Sequence, residues 1–399
     1  MSDKMKSKKN VLSVVIPIAL AIAVILALAV SGNIAKKNDL NAPAPSAAVS
    51  VSQSTVPADA KVNIVAVGDN LIHNTLIAAG EQEDGSRDYN SFYESMKPYI
   101  SAADMAVIDQ ETLLGGSAFE YSGYPCFNTP WEVGEAAINA GFDVFTCATN
   151  HVLDIQKFAG VSKELEFFSK HPEVTCIGIN ASEKEYNTIK YREVNGIKFA
   201  LLNYTYGTNG ISLPEDKPWC VNMLNEDKVV SDIKTARENA DVVIFFPHWG
   251  TENSHEINDE QRHYVELCSE LGVDIVIGGH PHVLQPVEWV TNNETGKKMI
   301  VYYSLGNFIS HQINLNQMCG GMAEITVERV NGEIKITSAK LAPVIDFYQR
   351  SGDGFRFSVY KLSDYTDELA AKQAQSGATV EYFTNLSKKV ISEEFLDIN

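Results

Sequence analysis

Residues 273–286 read VDIVIGGHPHVLQP, a short apolar run typical of a buried strand, followed directly by Gly279-His280-Pro281-His282. Two imidazoles that lie two residues apart after a Gly-Gly turn are difficult to explain by packing, because a buried histidine needs hydrogen-bond partners. The spacing favours metal binding by His280 and His282. This stretch therefore predicts a β-strand that carries metal ligands at its carboxyl end.

Four other apolar runs of the chain end in the same manner. Residues 62–67 lead into Gly68-Asp69 and His73, residues 104–108 into Asp109-Gln110-Glu111, residues 143–148 into Thr149-Asn150-His151, and residues 241–246 into His248-Trp249-Gly250-Thr251-Glu252. In an open α/β sheet the carboxyl ends of the strands form the ligand crevice, so we expect these loops to converge on one place.

The converging groups are carboxylates, imidazoles and an amide, without a thiolate. Such a set suits Zn, Mn or Fe and disfavours a calcium cage, which uses oxygen ligands only. The candidates exceed what one tetrahedral ion takes, and this predicts a pair of ions roughly 3.5 to 4 Å apart. Each loop alone also fits a simpler interpretation: Asp69 as a turn residue, Asn150 as a helix cap, His248 as a packed histidine and Glu252 as a solvated loop carboxylate.

The globular part reads as an α/β protein. A further strand is predicted at residues 174–179, and amphipathic helical patterns at 131–140, 161–170, 228–239 and 259–271 alternate with the strands. Asn195-Gly196 and Asn331-Gly332 each lie between alternating residues and predict two β-hairpins. We therefore expect a mixed sheet, or two packed sheets with helices outside, over residues 61–345. Residues 346–399 form a predicted C-terminal extension with helices near 364–375 and 380–394.

The first sixty residues predict attachment to a membrane. Residues 1–10 contain four lysines and one aspartate, and residues 11–30 are uncharged and mostly Val, Ile, Leu and Ala. Twenty helical residues span about 30 Å, the thickness of the hydrocarbon core, and the lysines predict a cytoplasmic N-terminus. Residues 31–60 form a predicted Ala/Ser/Pro linker that places the globular domain outside the cell. A cleaved signal peptide is the alternative, since Ala27-Leu28-Ala29 matches a cleavage pattern.

Composition excludes several classes of protein. The chain has 399 residues and a formal net charge of −19, so it lacks the basic surface that nucleic-acid binding requires. Hydrophobic residues make up 45% of the chain, which is too many for a disordered protein. The six cysteines are widely spaced without a C-x-x-C pair, so a zinc-thiolate site is not indicated.

The order of these motifs resembles the CapA family of bacterial capsule synthesis proteins, which is linked to poly-γ-glutamate capsules. The similarity covers residues 62–310 and includes Asp154 after Asn150-His151, and the loop Tyr303-Ser304-Leu305-Gly306-Asn307-Phe308. That family is similar to calcineurin-like metallophosphoesterases. The resemblance implies a two-sheet αββα sandwich, here preceded by an N-terminal transmembrane helix, and a site for two divalent metal ions.

The resemblance also implies roles for individual residues. The implied metal ligands are Asp69, Asp109, Glu111, Asn150, His248, His280 and His282. His151 is the implied proton donor, oriented by Asp154, and His73, Trp249, Glu252 and Asn307 are predicted to contact the substrate. Two positions depart from the metallophosphoesterase pattern. Leu71 stands where an Asp-x-His motif has its histidine, and Gln110 alters the second motif.

Three hypotheses for the function follow from this set of residues. The first is a metal-dependent hydrolase or transferase outside the membrane that acts on a phosphoester or glutamyl amide of a cell-envelope polymer. The second is an accessory protein that binds or helps export capsule polymer without catalysis, together with other capsule synthesis proteins. The third is an envelope scaffold in which the loops bind no metal. The predicted partners are the membrane and a capsule or cell-wall polymer, and not nucleic acid.

Overall fold

A computed structural model describes residues 57–398 of the chain. The predicted cytoplasmic segment (1–10), the predicted anchor (11–30) and nearly all of the predicted linker (31–60) lie outside the described residues. No helix between residues 57 and 398 combines the length and apolar character needed to cross a membrane.

The described residues contain fourteen β-strands, named here in chain order. They are β1 Ala60–Asn70, β2 Met105–Asp109, β3 Val144–Thr146, β4 Thr175–Ile177, β5 Lys190–Val194, β6 Ile197–Thr205, β7 Val242–His248, β8 Ile275–Ile277, β9 Val287–Thr291, β10 Lys298–Tyr302, β11 Asn307–Ile309, β12 Cys319–Val330, β13 Glu333–Ser351 and β14 Gly354–Lys361.

Ten α-helices occur in the same part of the chain. They are α1 Asn74–Ala79, α2 Asn90–Tyr93, α3 Lys97–Ile100, α4 Trp131–Ala140, α5 Phe158–Ser169, α6 Glu183–Tyr186, α7 Glu226–Asn239, α8 Asp259–Glu270, α9 Asp367–Ala370 and α10 Val380–Val390.

The strands form two mixed sheets. The first sheet has the order β14-β13-β12-β1-β2-β3-β4, with β11 also paired to β1, and the second has the order β5-β6-β7-β8-β10-β9. In the first sheet β1 to β4 are parallel, whereas β12 runs antiparallel to β1. In the second, β6, β7, β8 and β10 are parallel and the edge strands β5 and β9 are antiparallel. The prediction of a mixed α/β fold with two sheets is confirmed.

Alternating residues of the second sheet bury its two faces in different cores. Ile244 and Phe246 of β7 join a large core that also holds residues of the first sheet. Val243 and Phe245 point the other way, into a smaller core with residues of α7 and α8 such as Ile233. This period of two is what a strand buried on both faces produces. The two sheets therefore share one core, and helices cover the outer face of the second sheet.

The two hairpins occur where the Asn-Gly pairs predicted them. Val194 pairs with Ile197, and Val330 pairs with Glu333, so each hairpin has a two-residue loop. In the first hairpin both loop residues have positive φ, 49° at Asn195 and 78° at Gly196, as a type I′ turn requires. The hairpin turn chemistry is local, and for that reason it can be seen in the sequence.

The C-terminal residues continue the first sheet. Strand β13 crosses residue 345, where the sequence analysis places a domain boundary, and β14 follows it in the same sheet. Helix α10 begins after Thr379, whose side chain accepts a hydrogen bond from the backbone of Tyr382. The segment after residue 345 thus contributes both strands and helices to the folded unit.

Candidate metal centre

The carboxyl ends of β1, β2, β3, β7 and β8 meet where the two sheets come together. The structure brings together all seven residues predicted as metal ligands, and each is buried, with the relative exposure of the least buried, Asp109, at 9%. Two compact groups emerge in which one ligand atom of each residue lies within 4.8 Å of the others: Asp69, Asp109 and His248 in one, and Glu111, His280 and His282 in the other.

The first group links the two sheets. Oδ2 of Asp109, at the end of β2, lies 3.1 Å from Nδ1 of His248 at the end of β7. The opposite ring nitrogen of His248 lies 2.8 Å from Oδ1 of Asn150. Thr146 donates to the second oxygen of Asp109 at 2.7 Å. The His248 ring is therefore held between a carboxylate and an amide oxygen.

The second group adjoins the first through Asp69. Nδ1 of His282 lies 2.9 Å from Oδ2 of Asp69, and because a carboxylate only accepts, the ring nitrogen donates. The backbone N–H of His280 donates to the other oxygen of Asp69 at 3.2 Å. Glu111 lies 3.6 Å from the same nitrogen of His282. Asp69 thus belongs to the group with Asp109 and His248, and it also contacts His280 and His282 of the other group. A residue placed between two ions would make contacts to both groups in this way.

Gly279 makes this proximity possible. A Cβ atom at residue 279 would lie 2.4 Å from Oδ2 of Asp109 and 2.8 Å from Oδ1 of Asp69. His280 and His282, which follow it, have φ values of 96° and 60°. Such values are uncommon outside glycine and cost free energy, so they indicate a loop whose shape is set by its surroundings. The Gly-Gly-His-Pro-His segment therefore brings its backbone close to the carboxylates as well as supplying imidazoles.

The charge balance of the site favours a bound cation. Glu111 is fully buried, and neither of its carboxyl oxygens has a hydrogen-bond partner. Burial, and then repulsion from Asp69 and Asp109, raise the pKa of Glu111 well above its usual range. Between residues 57 and 398, no lysine or arginine pairs with any of these three carboxylates. Within the described residues only the imidazoles of His248 and His282 lie within ion-pair distance of them. Three carboxylates buried side by side are unfavourable unless a cation neutralises them, so the residues fit a divalent cation.

The histidines of the second group have opposite electrostatic environments. Burial works to lower the pKa of His282, but its hydrogen bond to Asp69, the negative charges of Asp69 and Glu252 and the hydrogen bond to Asn307 together outweigh burial, so the pKa is raised. Burial, and then the charges of His248 and His282, lower the pKa of His280 far below its usual value. Nδ1 of His280 is buried without a partner. A neutral imidazole with a free ring nitrogen is the form that binds a metal ion.

His151 and Asp154 form a pair beside the two groups. Nδ1 of His151 lies 2.7 Å from Oδ2 of Asp154, and the same oxygen accepts a hydrogen bond from the backbone N–H of Phe127 at 2.8 Å. The Phe127 ring packs edge-on against the imidazole with centroids 4.6 Å apart. The carboxylate is therefore itself fixed in place, and it orients the imidazole through Nδ1.

The predicted substrate-contacting residues occupy different surroundings. Asn307, at the start of β11, lies 3.1 Å from Nδ1 of His282 through its side-chain oxygen. Glu252 is exposed, and its charge contributes to the raised pKa values of Glu111 and His282. Both therefore lie at or beside the centre.

His73 and Trp249 lie further back. The His73 ring packs edge-on against Phe127 with centroids 5.5 Å apart, and the same Phe127 ring contacts His151. Nδ1 of His73 is 3.1 Å from the Leu71 carbonyl and accepts from the backbone of His311 at 3.2 Å. Trp249 is fully buried in the smaller core, where it donates to the Tyr303 carbonyl at 2.9 Å. These positions give Trp249 a packing role and leave His73 outside the ligand groups.

Gln110, which departs from the second metallophosphoesterase motif, makes its hydrogen bonds away from the candidate ligands. Its side chain accepts from Asn70 at 2.8 Å and donates to the Thr112 carbonyl at 2.6 Å, and Asn70 in turn accepts from Tyr93 at 2.9 Å. Gln110 therefore braces the ends of β1 and β2, while its neighbour Glu111 points into the site.

Two residues of the site escaped the sequence analysis. Tyr206 and Asn209 lie in the loop after β6. The Tyr206 ring packs 4.6 Å from the His280 ring, and burial raises its pKa to about 12. Asn209 accepts from Asn150 at 3.2 Å, and its amide nitrogen lies 3.3 Å from Nδ1 of His151. The signal was available, because Tyr206-Gly207-Thr208-Asn209-Gly210 is another polar loop at the carboxyl end of a predicted strand.

Comparison with known proteins gives a consistent picture. The family profile described as bacterial capsule synthesis protein PGA_cap matches residues 63–312. The chain is 33% identical over 173 residues to the PGA biosynthesis protein CapA of Bacillus subtilis (strain 168), an alignment that covers 43% of each chain. It is 31% identical over 186 residues to the capsule biosynthesis protein CapA of Bacillus anthracis, covering 45% of this chain and 43% of the other. The alignments thus span less than half the length of these curated relatives.

Solved structures show weaker similarity. The 5′-nucleotidase precursor of Thermus thermophilus is 12% identical with a TM-score of 0.43, over 83% of this chain and 58% of the other. The calcineurin-like phosphoesterase YfkN of Bacillus subtilis is 14% identical with a TM-score of 0.38, over 84% of this chain and 97% of the other.

Proposed function

The chain belongs to the family of bacterial capsule synthesis proteins, and from that premise we propose that it is a metal-dependent hydrolase or transferase acting on a phosphoester or glutamyl amide of a cell-envelope polymer. The observation that supports this most directly is Glu111, which is buried beside Asp69 and Asp109 without any hydrogen-bond partner. A carboxylate so placed is costly in a purely structural role. A role of the site in binding cations accounts for the burial of this carboxylate.

The ligand sets divide between two positions, as in the metallophosphoesterase-like arrangement that we propose. Asp109 and His248, with Asn150 beside them, would hold one ion, Glu111, His280 and His282 would hold the other, and Asp69 would lie between them. Bound there, Mn, Zn or Fe ions supply a Lewis acid that polarises a phosphoryl or carbonyl oxygen and lowers the pKa of water. The imidazole and carboxylate donors suit each of these metals.

His151 would transfer the proton that the leaving group requires. Asp154 engages Nδ1 and thereby orients the imidazole, so that the opposite ring nitrogen serves as donor to the leaving-group oxygen or nitrogen. The Phe127 backbone donates to Asp154 and holds the carboxylate, while Asn209 accepts a hydrogen bond from Asn150 beside the imidazole. The orientation of the proton donor therefore depends on a carboxylate that is itself fixed by the backbone.

An accessory role without catalysis is the second candidate. Leu71, which stands where the metallophosphoesterase motif has a histidine, is 2% exposed, and His73 packs against Phe127 and belongs to neither ligand group. A site that lacks this imidazole has one ligand fewer. The accessory protein is expected to bind metal and capsule polymer but to hydrolyse neither esters nor amides.

The location and partners belong to the same proposal. The basic and apolar segments at residues 1–30 support a single-pass anchor with the globular domain outside the cell. A capsule or cell-wall polymer and other capsule synthesis proteins would be its partners there. With a net charge of −19, the chain does not attract a polyanion by long-range electrostatics, so a poly-γ-glutamate partner would depend on the cations of the site.

The test is the metal content and hydrolytic activity of the full chain, purified in detergent without chelator. Wild type is compared with the double variant His280→Ala/His282→Ala and with His263→Ala, a control on the exposed face of α8. We expect about two ions per chain in wild type and the control, loss of metal in the double variant, and metal-dependent hydrolysis of phosphoester or γ-glutamyl amide substrates. Metal binding without turnover would favour the accessory role, and absence of metal would overturn the proposal.

A further inference from the structure

A cavity of about 430 Å³ lies next to the proposed metal centre. Its wall combines the loop after β7 (Asn253), the loop after β8 (Val283), a short 3-10 turn at Leu315–Met318 with the residue before it, and helix α10 (Tyr382). Its volume is in the range of sites for small ligands, roughly 300–1,000 Å³. Helix α10 thereby gives the C-terminal segment a place beside the site.

Short covalent and hydrogen-bonded links connect the cavity to the metal ligands. Val283 follows His282 directly in the chain. The backbone N–H of Asn253 donates to the Pro281 carbonyl at 2.8 Å. Asn307, which contacts His282, donates from its amide to the Gln317 carbonyl at 3.0 Å. A group that enters the cavity is therefore one layer of residues away from His282.

The polar lining of the cavity is neutral. Its polar side chains are the amides of Asn253, Asn314, Asn316 and Gln317 and the hydroxyl of Tyr382, whereas Val283 and Leu315 are apolar. Neither a lysine, an arginine nor an acidic residue lines it. An amide side chain offers donors and an acceptor together, which matches a ligand whose groups both donate and accept.

Several of these polar atoms are available to a ligand. Tyr382 donates to Oδ1 of Asn316 at 2.6 Å, which leaves the NH₂ group of Asn316 without a partner among residues 57–398. The side chain of Asn314, which is exposed, makes no hydrogen bond within the same residues. The Tyr382 ring is held edge-on by Phe383, with centroids 5.5 Å apart. The cavity thus combines free amide groups with a fixed aromatic ring and two aliphatic side chains.

We propose that this cavity binds a neutral sugar unit of the substrate, so that the bond broken at the metal centre belongs to a carbohydrate-containing envelope polymer. The inference rests on the proposed function and specifies its substrate class. Sugar hydroxyls donate and accept hydrogen bonds as the amides do, and the C–H face of a sugar ring packs on aromatic and aliphatic groups. A γ-glutamyl unit would bring a carboxylate into a cavity whose lining has no cation to pair with it.

The test is a binding measurement by saturation-transfer NMR titration on the full chain in detergent with EDTA. The probes are cellotriose, maltotriose and triacetylchitotriose, compared with a γ-glutamyl trimer and with triglycine amide, a neutral peptide. At least one trisaccharide is expected to bind. Its affinity should fall roughly tenfold in Asn314→Ala/Asn316→Ala, since two hydrogen-bonding groups are removed, and remain unchanged in Asn139→Ala, an exposed asparagine on α4.

The outcomes separate this inference from the proposed catalysis, because binding is measured without metal and without turnover. Tyr382→Phe, which removes only a hydroxyl group, is expected to weaken binding of the same trisaccharide. This variant tests the inference even if the double variant fails to fold. The inference is overturned when no trisaccharide binds, when the substitutions leave binding unchanged, or when the γ-glutamyl trimer or triglycine amide binds instead in a manner that depends on Asn314 and Asn316. Sugar binding by a chain that hydrolyses nothing would retain this inference and reject the catalytic proposal.

Discussion

Glu111 is a residue whose effect on stability should change sign with metal binding. Its carboxyl group is buried beside Asp69 and Asp109 with no hydrogen-bond donor, and its pKa is raised by burial and by repulsion from these two neighbours. In the metal-free chain such a group opposes folding. With cations bound it becomes a ligand and supports folding, because binding to the native state alone stabilises that state.

Glu111→Gln is therefore expected to stabilise the metal-free chain at about pH 7.5 and destabilise the metal-loaded one. The metal-free gain arises because the amide cannot ionise: a carboxyl group with a raised pKa costs about 1.4 kcal/mol of folding free energy for each unit by which its pKa is raised, up to the pH of the measurement. Thermal unfolding with EDTA and with added Mn²⁺ measures both effects, and Glu83→Gln on the exposed surface is the control. A loss of stability of the same size under both conditions would show that Glu111 is structural.

Asp154→Asn is expected to lower kcat by roughly 10²-fold or more, within the range for general acid–base catalysis, while metal content stays unchanged. The reason is that the carboxylate oxygen which orients His151 also accepts from the Phe127 backbone. The loss should be larger for an ester with a poor leaving group than for a nitrophenyl ester, which needs no protonation. An equal loss on both, or a loss of metal, would contradict the role. Asp216→Asn, an exposed aspartate paired with Lys217, is the control.

The candidate site could be located from the sequence because it follows a rule about strand ends. Asp109 and His248 end strands β2 and β7, and Asp69 is the last residue but one of β1. Parallel order within each sheet places such groups at one edge, and the packing of the two sheets brings the two edges together. The direction of a side chain depends on tertiary packing instead. Trp249 follows His248 directly yet points into the smaller core, and His73 packs against Phe127 without joining either ligand group. Residue type and spacing do not indicate which of two neighbouring side chains points into the site.

At the scale of the element, the loop after β8 depends on the absence of a side chain at Gly279. A methyl group there would meet the carboxylates of Asp109 and Asp69 at 2.4 and 2.8 Å. Both distances are under 3.0 Å, so the carboxylates or the loop would have to move. The candidate metal ligands His280 and His282, which follow Gly279, would move with them.

Gly279→Ala is expected to reduce the metal content to below one ion per chain and to destabilise the protein by about 1–3 kcal/mol, as overpacking does. Elemental analysis and urea unfolding measure the two effects. Gly207→Ala is the matched control, because a Cβ at that position meets no atom within 4 Å. Full metal occupancy in Gly279→Ala would show that the two carboxylates are not both ligands.

The elements differ in how far they can be predicted. Strands β1, β2 and β7 and helix α4 correspond to periodic runs of the sequence, and the hairpins to Asn-Gly turns, since these signals are local. Strand β11 is only three residues long, and its place beside β1 comes from pairing between Asp69 and Asn307. Strand β13 is long and lies partly in a region without a clear pattern. Pairings between distant residues leave little trace in a single sequence.

At the scale of the whole molecule, Asp346 makes stability depend on pH. It is 1% exposed, its Oδ2 accepts from the backbone and hydroxyl of Ser310 in the segment after β11, and its Oδ1 has no partner. Burial raises its pKa to about 8 from 3.8. The folded chain therefore keeps a proton that the unfolded chain has released at neutral pH, and stability decreases as pH rises from about 4 to about 8.

Asp346→Asn is expected to remove this contribution, about 1.4 kcal/mol for each pH unit inside that window. Urea unfolding of wild type and variant between about pH 4 and 9, with EDTA present, gives the difference. Glu164, whose pKa burial also raises to about 8, adds a similar slope to both proteins. Asp353→Asn, in the exposed turn before β14, should follow wild type. A wild type and an Asp346→Asn variant with parallel pH profiles would exclude the effect.

The central place of β1 has a consequence for how the chain is made. This strand is synthesised first among the described elements, yet its antiparallel neighbour is β12, with Val62 opposite Val327, and β11 also pairs with it late in the chain. A nascent chain would hold β1 with an unpaired edge until almost all of the protein had emerged. Pairings so distant in sequence slow folding and leave intermediates open to aggregation. Production of this protein is thus expected to depend on chaperones, and truncation before β12 to yield insoluble fragments.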